Sequence, residues 1–235
     1  MEQTTLNAAA GTEESNGNNI AKNLTQLMYC VATGHNIGVW NGTEWVDCKC
    51  PWTVIDMVFD NQNRCWIVGT GGNVGILNLE TGEIVINYGL IGGWLIKSID
   101  FDANGTLWCV GANGNVGEWN GYSWNDHGLL GGWTLQSICV RNPIQASLCW
   151  GVNTSNELGV YMLSDPGKWA NDFNPNNVYQ SVASTPPSSS VVYVGIVGSG
   201  ASNTKIMFYN TGSKLGGITT NWTLLTVAFL PVPKV

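Results

Sequence analysis

The chain has 235 residues, only 11% of them charged, and a formal net charge of −7. That balance argues against nucleic-acid binding by phosphate neutralisation, which needs Lys/Arg clusters, and against attraction to an anionic membrane surface. No apolar run reaches the roughly 18 residues of a membrane helix, so no membrane insertion is expected; 30 Gly and 12 Trp fit a repeat of short strands and tight turns, not disorder.

Residues 1–25 are polar, with Glu13, Glu14, Asn16, Asn18 and Asn19, and read as a flexible or surface-wrapped arm ahead of one domain over 26–235. No signal peptide is visible there, which points to a cytoplasmic or non-classically released protein. Leu27 to Ala32, Ile37 to Trp40 and Thr43 to Trp45 then read as three strands joined by turns. Trp52 to Phe59 opens a complete unit, followed by a turn from Asp60, strands over Cys65 to Gly69 and Val74 to Leu77, and an outer strand from Glu83 to Ile86. Trp94 to Phe101 starts the next, with Asp102-Ala103-Asn104-Gly105 as a turn because Asn and Gly tolerate positive φ. Leu107 to Val110, Val116 to Trp119 and a short strand at Tyr122 to Trp124 complete it.

The fourth unit runs from Trp133 to Cys139, Leu148 to Asn153 and Leu158 to Tyr161. The fifth has Asn177 where Trp stands elsewhere, then Val178 to Ala183, Val191 to Ile196 and Lys205 to Asn210, with longer loops at Thr185 to Ser190 and Gly198 to Asn203. Trp222 to Phe229 is one more first strand with nothing behind it, and the first unit lacks such a strand. The economical solution joins them. Trp52, Trp94, Trp133, Asn177 and Trp222 recur at intervals of roughly 40 residues, a propeller period. The expected fold is therefore all-β: a five-bladed β-propeller of four-stranded antiparallel blades, its ring closed by the C-terminal strand completing the N-terminal blade. A two-sheet sandwich leaves that terminal strand unexplained.

Gly92-Gly93-Trp94 through Phe101-Asp102-Ala103-Asn104-Gly105-Thr106-Leu107-Trp108-Cys109-Val110 resembles the five-bladed propeller lectins of the tachylectin type. Trp150-Gly151-Val152-Asn153 resembles the tectonin repeat of fungal, slime-mould and bacterial lectins. The likeness spans about residues 26 to 230, although Cys50-Pro51 and Thr220-Asn221 replace the Gly-Gly pair before Trp52 and Trp222. It implies a multivalent carbohydrate-binding protein with glycan partners, sugar sites between neighbouring blades, and N-acetylated amino sugars or O-methylated sugars as ligands.

Sugar rings have apolar C–H faces that stack on aromatic side chains, and hydroxyls that need fixed polar partners. The expected carbohydrate-binding residues are Gly93, Trp94, Gly132, Trp133, Trp52 and Trp222, with the turn residues Asn36, Asn73, Asn113 and Asn153. The same Trp residues could instead form core between blades, and the same Asn residues could serve only turn geometry. Two other functions stay open. A glycoside hydrolase would place paired carboxylates in the central cleft, and Asp56 and Asp100 read as equivalent first-strand positions, with Glu118 and Asp126 nearby. A protein-interaction propeller would show one dominant apolar patch.

His35 and His127 have no nucleophile motif beside them, and Cys48-Lys49-Cys50 lacks a partner cluster, so neither catalysis, cofactor nor metal is expected. Cys30, Cys65, Cys109 and Cys149 fall in the second strand of four units and read as small buried hydrophobes. The Asn-x-Ser/Thr sites at Asn23, Asn41, Asn104, Asn153 and Asn221 read as turn chemistry.

Overall fold

The computed structural model describes residues 28–41, 43–140, 148–163, 169–170, 178–184, 193–197, 205–210, 213–220 and 222–230. The expected arm over 1–25 lies outside them, as do Asn23, Asn177, Asn221 and the two long loops of the fifth unit. The described residues form antiparallel sheets in a propeller-like arrangement, with no α-helix among them.

The first sheet contains β1 (Met28–Ala32), β2 (Ile37–Trp40) and β3 (Trp45–Cys48), and its inner edge is β19 (Leu224–Phe229). Met28 pairs with Phe229 and Cys30 with Val227, so the terminal strand does complete the first unit. The second sheet is β4 (Val54–Phe59), β5 (Cys65–Gly69), β6 (Val74–Asn78) and β7 (Glu83–Gly89). The third is β8 (Ile96–Phe101), β9 (Leu107–Gly111), β10 (Val116–Trp119) and β11 (Trp124–Gly128). The fourth has only β12 (Leu135–Cys139), β13 (Leu148–Asn153) and β14 (Leu158–Met162). The fifth is β15 (Tyr179–Ser184), β16 (Tyr193–Val197), β17 (Lys205–Asn210) and β18 (Ser213–Thr219).

The expectation of four strands in all five units is thus corrected. Four sheets are complete four-stranded blades; in the fourth, a single bridge from Val160 to Ala170 stands where an outer strand would pair. Two further corrections concern boundaries. The inner strands begin two residues after each leading Trp, and the outer strands run longer than expected, to Cys48, Gly89 and Gly128. An outer strand is exposed on both faces, so it lacks the apolar alternation that marks a half-buried strand.

The inner strands carry the core. Phe59, Ile96, Leu135, Ile138 and Leu224 are almost wholly buried, each contributing about 1.5–3 kcal/mol by leaving water. Consecutive inner strands touch, β4 with β8, β8 with β12, β12 with β15 and β15 with β19, and β19 touches β4. Every inner strand also has a bulge at one equivalent place, at Ile55, Lys97, Gln136, Gln180 and opposite Val31–Ala32 at Leu225. A bulge re-aims the next side chain. Here that residue is always polar: Asp56, Ser98, Ser137, Ser181 and Thr226, all buried.

These five form a circuit across the seams. Asp56 accepts from Ile99 N at 2.8 Å and Ser98 Oγ from Ile138 N at 3.4 Å. Ser137 Oγ accepts from Val182 N at 3.1 Å, Ser181 Oγ donates to Thr226 Oγ1 at 3.1 Å, and the Thr226 side chain bonds Asp56. A strand edge buried against its neighbour must find partners for its backbone groups, and this girdle supplies them.

Candidate functional site

The turn that follows β4 builds one wall of a groove. Asn63 has φ 62°, and the buried Asp60 carboxylate closes the turn by accepting from Gln62 N and Arg64 N. It also accepts from Arg64 Nε at 2.6 Å and from Trp66 Nε1 at 2.9 Å. Burial pushes the Asp60 pKa up, but the hydrogen bonds from Trp66 and Arg64 outweigh it and hold the group below the usual carboxylate value. Asp60 thereby fixes an indole and a guanidinium side by side, with the guanidinium carbon 5.7 Å from the Trp66 ring centroid.

Trp66 also meets Tyr88. Val74 pairs with Gly89 and Gly75 with Asn87, so Tyr88 is the extra residue of a bulge in β7. Asn87 Oδ1 accepts from Gly89 N and holds that bulge. The displaced Tyr88 ring stacks on Trp66 at 5.1 Å and 4°, and is 44% exposed. The facing wall belongs to the next blade. Phe101 meets the edge of Trp66 at 5.3 Å, and Trp119 and Leu107 continue the surface.

The link between the two blades, Leu90 to Gly92, completes the groove. Gly92 has φ 56°, and a Cβ there would lie 2.6 Å from Trp124, whose Nε1 donates to Ile91 O at 2.8 Å. Only glycine permits both the turn and the overlying indole. The result is an open groove of about 830 Å³, with Asn104 and Asn120 at its polar rim. Its size and its mix of aromatic surface with a few polar groups are those of a small-molecule site.

The next seam repeats the plan with other side chains. His127 is the bulge residue of β11, since Val116 pairs with Gly128 and Gly117 with Asp126. Its ring stacks on Trp108 at 5.1 Å and 9°, and Asp126 Oδ1 accepts from Gly128 N as Asn87 does one blade earlier. His127 Nε2 lies 3.5 Å from Glu118 Oε2. Register places Trp108 opposite Glu118, as Trp66 is opposite Ile76, and Thr106 where Arg64 stands. Trp108 Nε1 is buried with no hydrogen-bond partner among the described residues.

No family model matches the chain, and no curated protein matches it.

None of the residues expected from sequence lines the groove. Trp52, Trp94, Trp133 and Trp222 are half-buried inside their own blades. Each lies against the third-strand glycine, so that a Cβ on Gly75, Gly117, Gly159 or Gly38 would come within 2.8–2.9 Å of its indole. Trp94 is further covered by Trp124 at 5.2 Å and Trp133 by Trp169 at 4.5 Å. Gly93 and Gly132 have φ 76° and 79° and open space beside them, so they serve backbone conformation only.

Asn36 donates to Asp47, and Asn153 caps its own turn by accepting from Ser155 N and Glu157 N. Asn113 is exposed; the residue equivalent to Asn36 and Asn73 is Asn115, which accepts from Gly111 N through its carbonyl and donates to Asp126. Sequence reasoning missed Arg64, Tyr88 and Trp119. The repeated pairing of a second-strand Trp with a polar-aromatic residue before Gly89 and Gly128 was the available signal.

The carboxylates considered for catalysis are placed differently from the expectation. Asp56 aligns with Ser98, and Asp100 with Val58, so the two Asp residues are not equivalent. Asp56 accepts from Ile99 N and Met57 N, and Asp100 from Val140 N at 2.8 Å. Both are spent on joining strands. A second open cleft, of about 410 Å³, lies at one mouth of the axis beside Lys97, Gln136 and Gln180. Among the described residues no group of three His, Cys, Asp or Glu could hold a metal ion, and no helix is long and apolar enough to cross a membrane.

Proposed function

We propose that the chain is a multivalent carbohydrate-binding propeller that uses the grooves between blades. The three-stranded sheet is then the fourth blade of a closed ring of five, worn at its outer edge. The observation that carries this reading is the Trp66–Tyr88 stack beside an open interblade groove, with polar amides at its rim. An exposed, pre-ordered aromatic face offers a sugar its C–H stacking surface, and Asn104 at the rim offers a hydroxyl partner. The register-equivalent Trp108–His127 stack supports repetition of the plan.

The groove is open, so single-site affinity is weak, and several such sites on one rigid body would raise avidity by about 10²–10⁴ on a glycan-coated surface. The resemblance to tachylectin-type and tectonin proteins points the same way, toward N-acetylated or O-methylated sugars. A glycan array with the intact chain, repeated with Tyr88→Ala, tests the proposal. Binding to a defined saccharide class that falls with the variant supports it; no binding to any glycan overturns it.

One observation favours the protein-interaction alternative. Val85, Ile86 and Tyr88 are exposed along the outer strand of the second blade, and Leu90 on the link that follows it. If that edge is the functional surface, charged substitutions at Val85 and Ile86 abolish partner capture and leave sugar binding unchanged.

A further inference from the structure

We infer that the groove between the second and third blades selects a saccharide bearing a carboxylate, with Arg64 as the specificity-determining residue; this rests on the glycan-binding reading above. Arg64 is held on two sides, by Asp60 at its Nε and by Trp66 beneath its guanidinium. Its side chain is nevertheless 45% exposed, at the groove's wall. Only Nε is engaged among the described residues, so the two terminal nitrogens are presented with their donors free. A planar guanidinium offers paired N–H groups that match the two oxygens of a carboxylate.

The ordering of a long side chain normally subtracts from such a contact. Asp60 and Trp66 have already imposed it. Asp60 also offsets the charge of Arg64, so recognition here depends on directed hydrogen bonds more than on long-range attraction. One acidic residue, Glu118, lines the groove, but its carboxylate lies with His127 at 3.5 Å and Asn125 at 3.4 Å at the next seam. Tyr88 and Trp119 supply the surface for the sugar ring itself.

The next seam is the internal control. Thr106 replaces Arg64, His127 replaces Tyr88 and Glu118 replaces Ile76. Among the described residues that seam has no guanidinium fork, and it gains an acid–imidazole pair. The two seams share an aromatic plan and differ in the group that reads charge.

The test compares three probes on the intact chain by calorimetric titration: a glucuronic-acid-terminated oligosaccharide, its methyl ester, and the neutral glucose counterpart. The acid is expected to bind about tenfold tighter than the ester, and Arg64→Gln to bring the acid down to the level of the ester. Arg64→Lys, which keeps the charge but loses the fork, is expected to keep only part of the preference. Tyr88→Ala weakens acid and neutral probes alike.

Equal binding of acid and ester by the unaltered chain overturns the inference and leaves the lectin reading standing. So does a preference that survives Arg64→Gln. A 6-sulfated glucose probe that matches the uronate overturns the carboxylate assignment in favour of a general oxyanion site. Absence of binding by every saccharide overturns the lectin reading, and this inference with it.

Discussion

The Asp56 carboxylate accepts the backbone N–H of Ile99 at 2.8 Å, across 43 residues and the seam between two blades. Asp56 also bonds Thr226 on the closing strand, so one side chain ties three blades together. It is the one ionisable member of an otherwise hydroxyl-bearing girdle.

Burial pushes the Asp56 pKa up to about 6, against the opposing hydrogen bonds from Ser98, Ile99, Thr226 and Met57. Since the folded value lies above the unfolded one of 3.8, protonation favours the fold. That contribution is complete below about pH 4 and is lost as pH rises through about 6. Its upper size is about 3 kcal/mol. Chemical denaturation of the native chain and of Asp56→Asn, at matched pH from about 4 to about 7, is expected to show this slope only in the native chain. Parallel pH dependences would refute the assignment.

Gly92 and Gly93 separate steric need from backbone need. Both have positive φ, but a Cβ on Gly92 would lie 2.6 Å from Trp124 while one on Gly93 meets nothing within 4 Å. Gly93→Ala is expected to cost about 1–2 kcal/mol for the left-handed backbone. Gly92→Ala adds about 1–3 kcal/mol of overpacking, and a smaller loss than for Gly93→Ala, read from denaturation midpoints, would contradict the packing described.

The third-strand glycines make a similar case. At Gly75 a Cβ would stand 2.8 Å from Ile86 O and 2.9 Å from Trp52. Gly75→Ala should lower stability by about 1–3 kcal/mol, and Gly75→Ala combined with Trp52→Leu should cost less than the sum of the two single changes. Strict additivity in that double-mutant cycle would mean the two residues do not touch.

The cysteines predict a graded thiol reactivity. All seven are free. Burial pushes the Cys30, Cys65, Cys109 and Cys149 thiols far above their usual value, and Cys48 and Cys50 less so because they are only half-buried. Titration of the native chain with a thiol reagent should label Cys48 and Cys50 first, with the other five released only by denaturant. Early labelling of Cys109 would show that the third blade is open.

Much of the architecture was written in the sequence because it repeats. The leading Trp, the glycine of the third strand and the turn asparagines recur at one spacing, and the unmatched strand at Trp222 announced its partner at Met28. What the pattern hid was lateral. Trp94 and Trp133 look like exposed platforms in a one-dimensional string, yet a glycine 23 or 26 residues later in sequence gives each a flat bed inside its own blade. Asp56 and Asp100 look alike until the bulge at Ile55 and its counterpart at Lys97 fix the register. The groove residues come from two blades and the link between them, and the bulge that turns Tyr88 onto Trp66 is marked only by the glycine after it, a signal repeated once at His127-Gly128.

The pairing of β19 with β1 also sets a timetable for synthesis. Residues 28–48 leave the ribosome early with the inner edge of their sheet unpaired, and must wait for some 180 residues before its partner is made. During that interval an exposed edge is open to pairing with another nascent chain. Expression at high rate should therefore punish this protein by aggregation more than its final stability would indicate, and supplying residues 222–230 as a separate peptide in trans offers a way to shield the waiting strand.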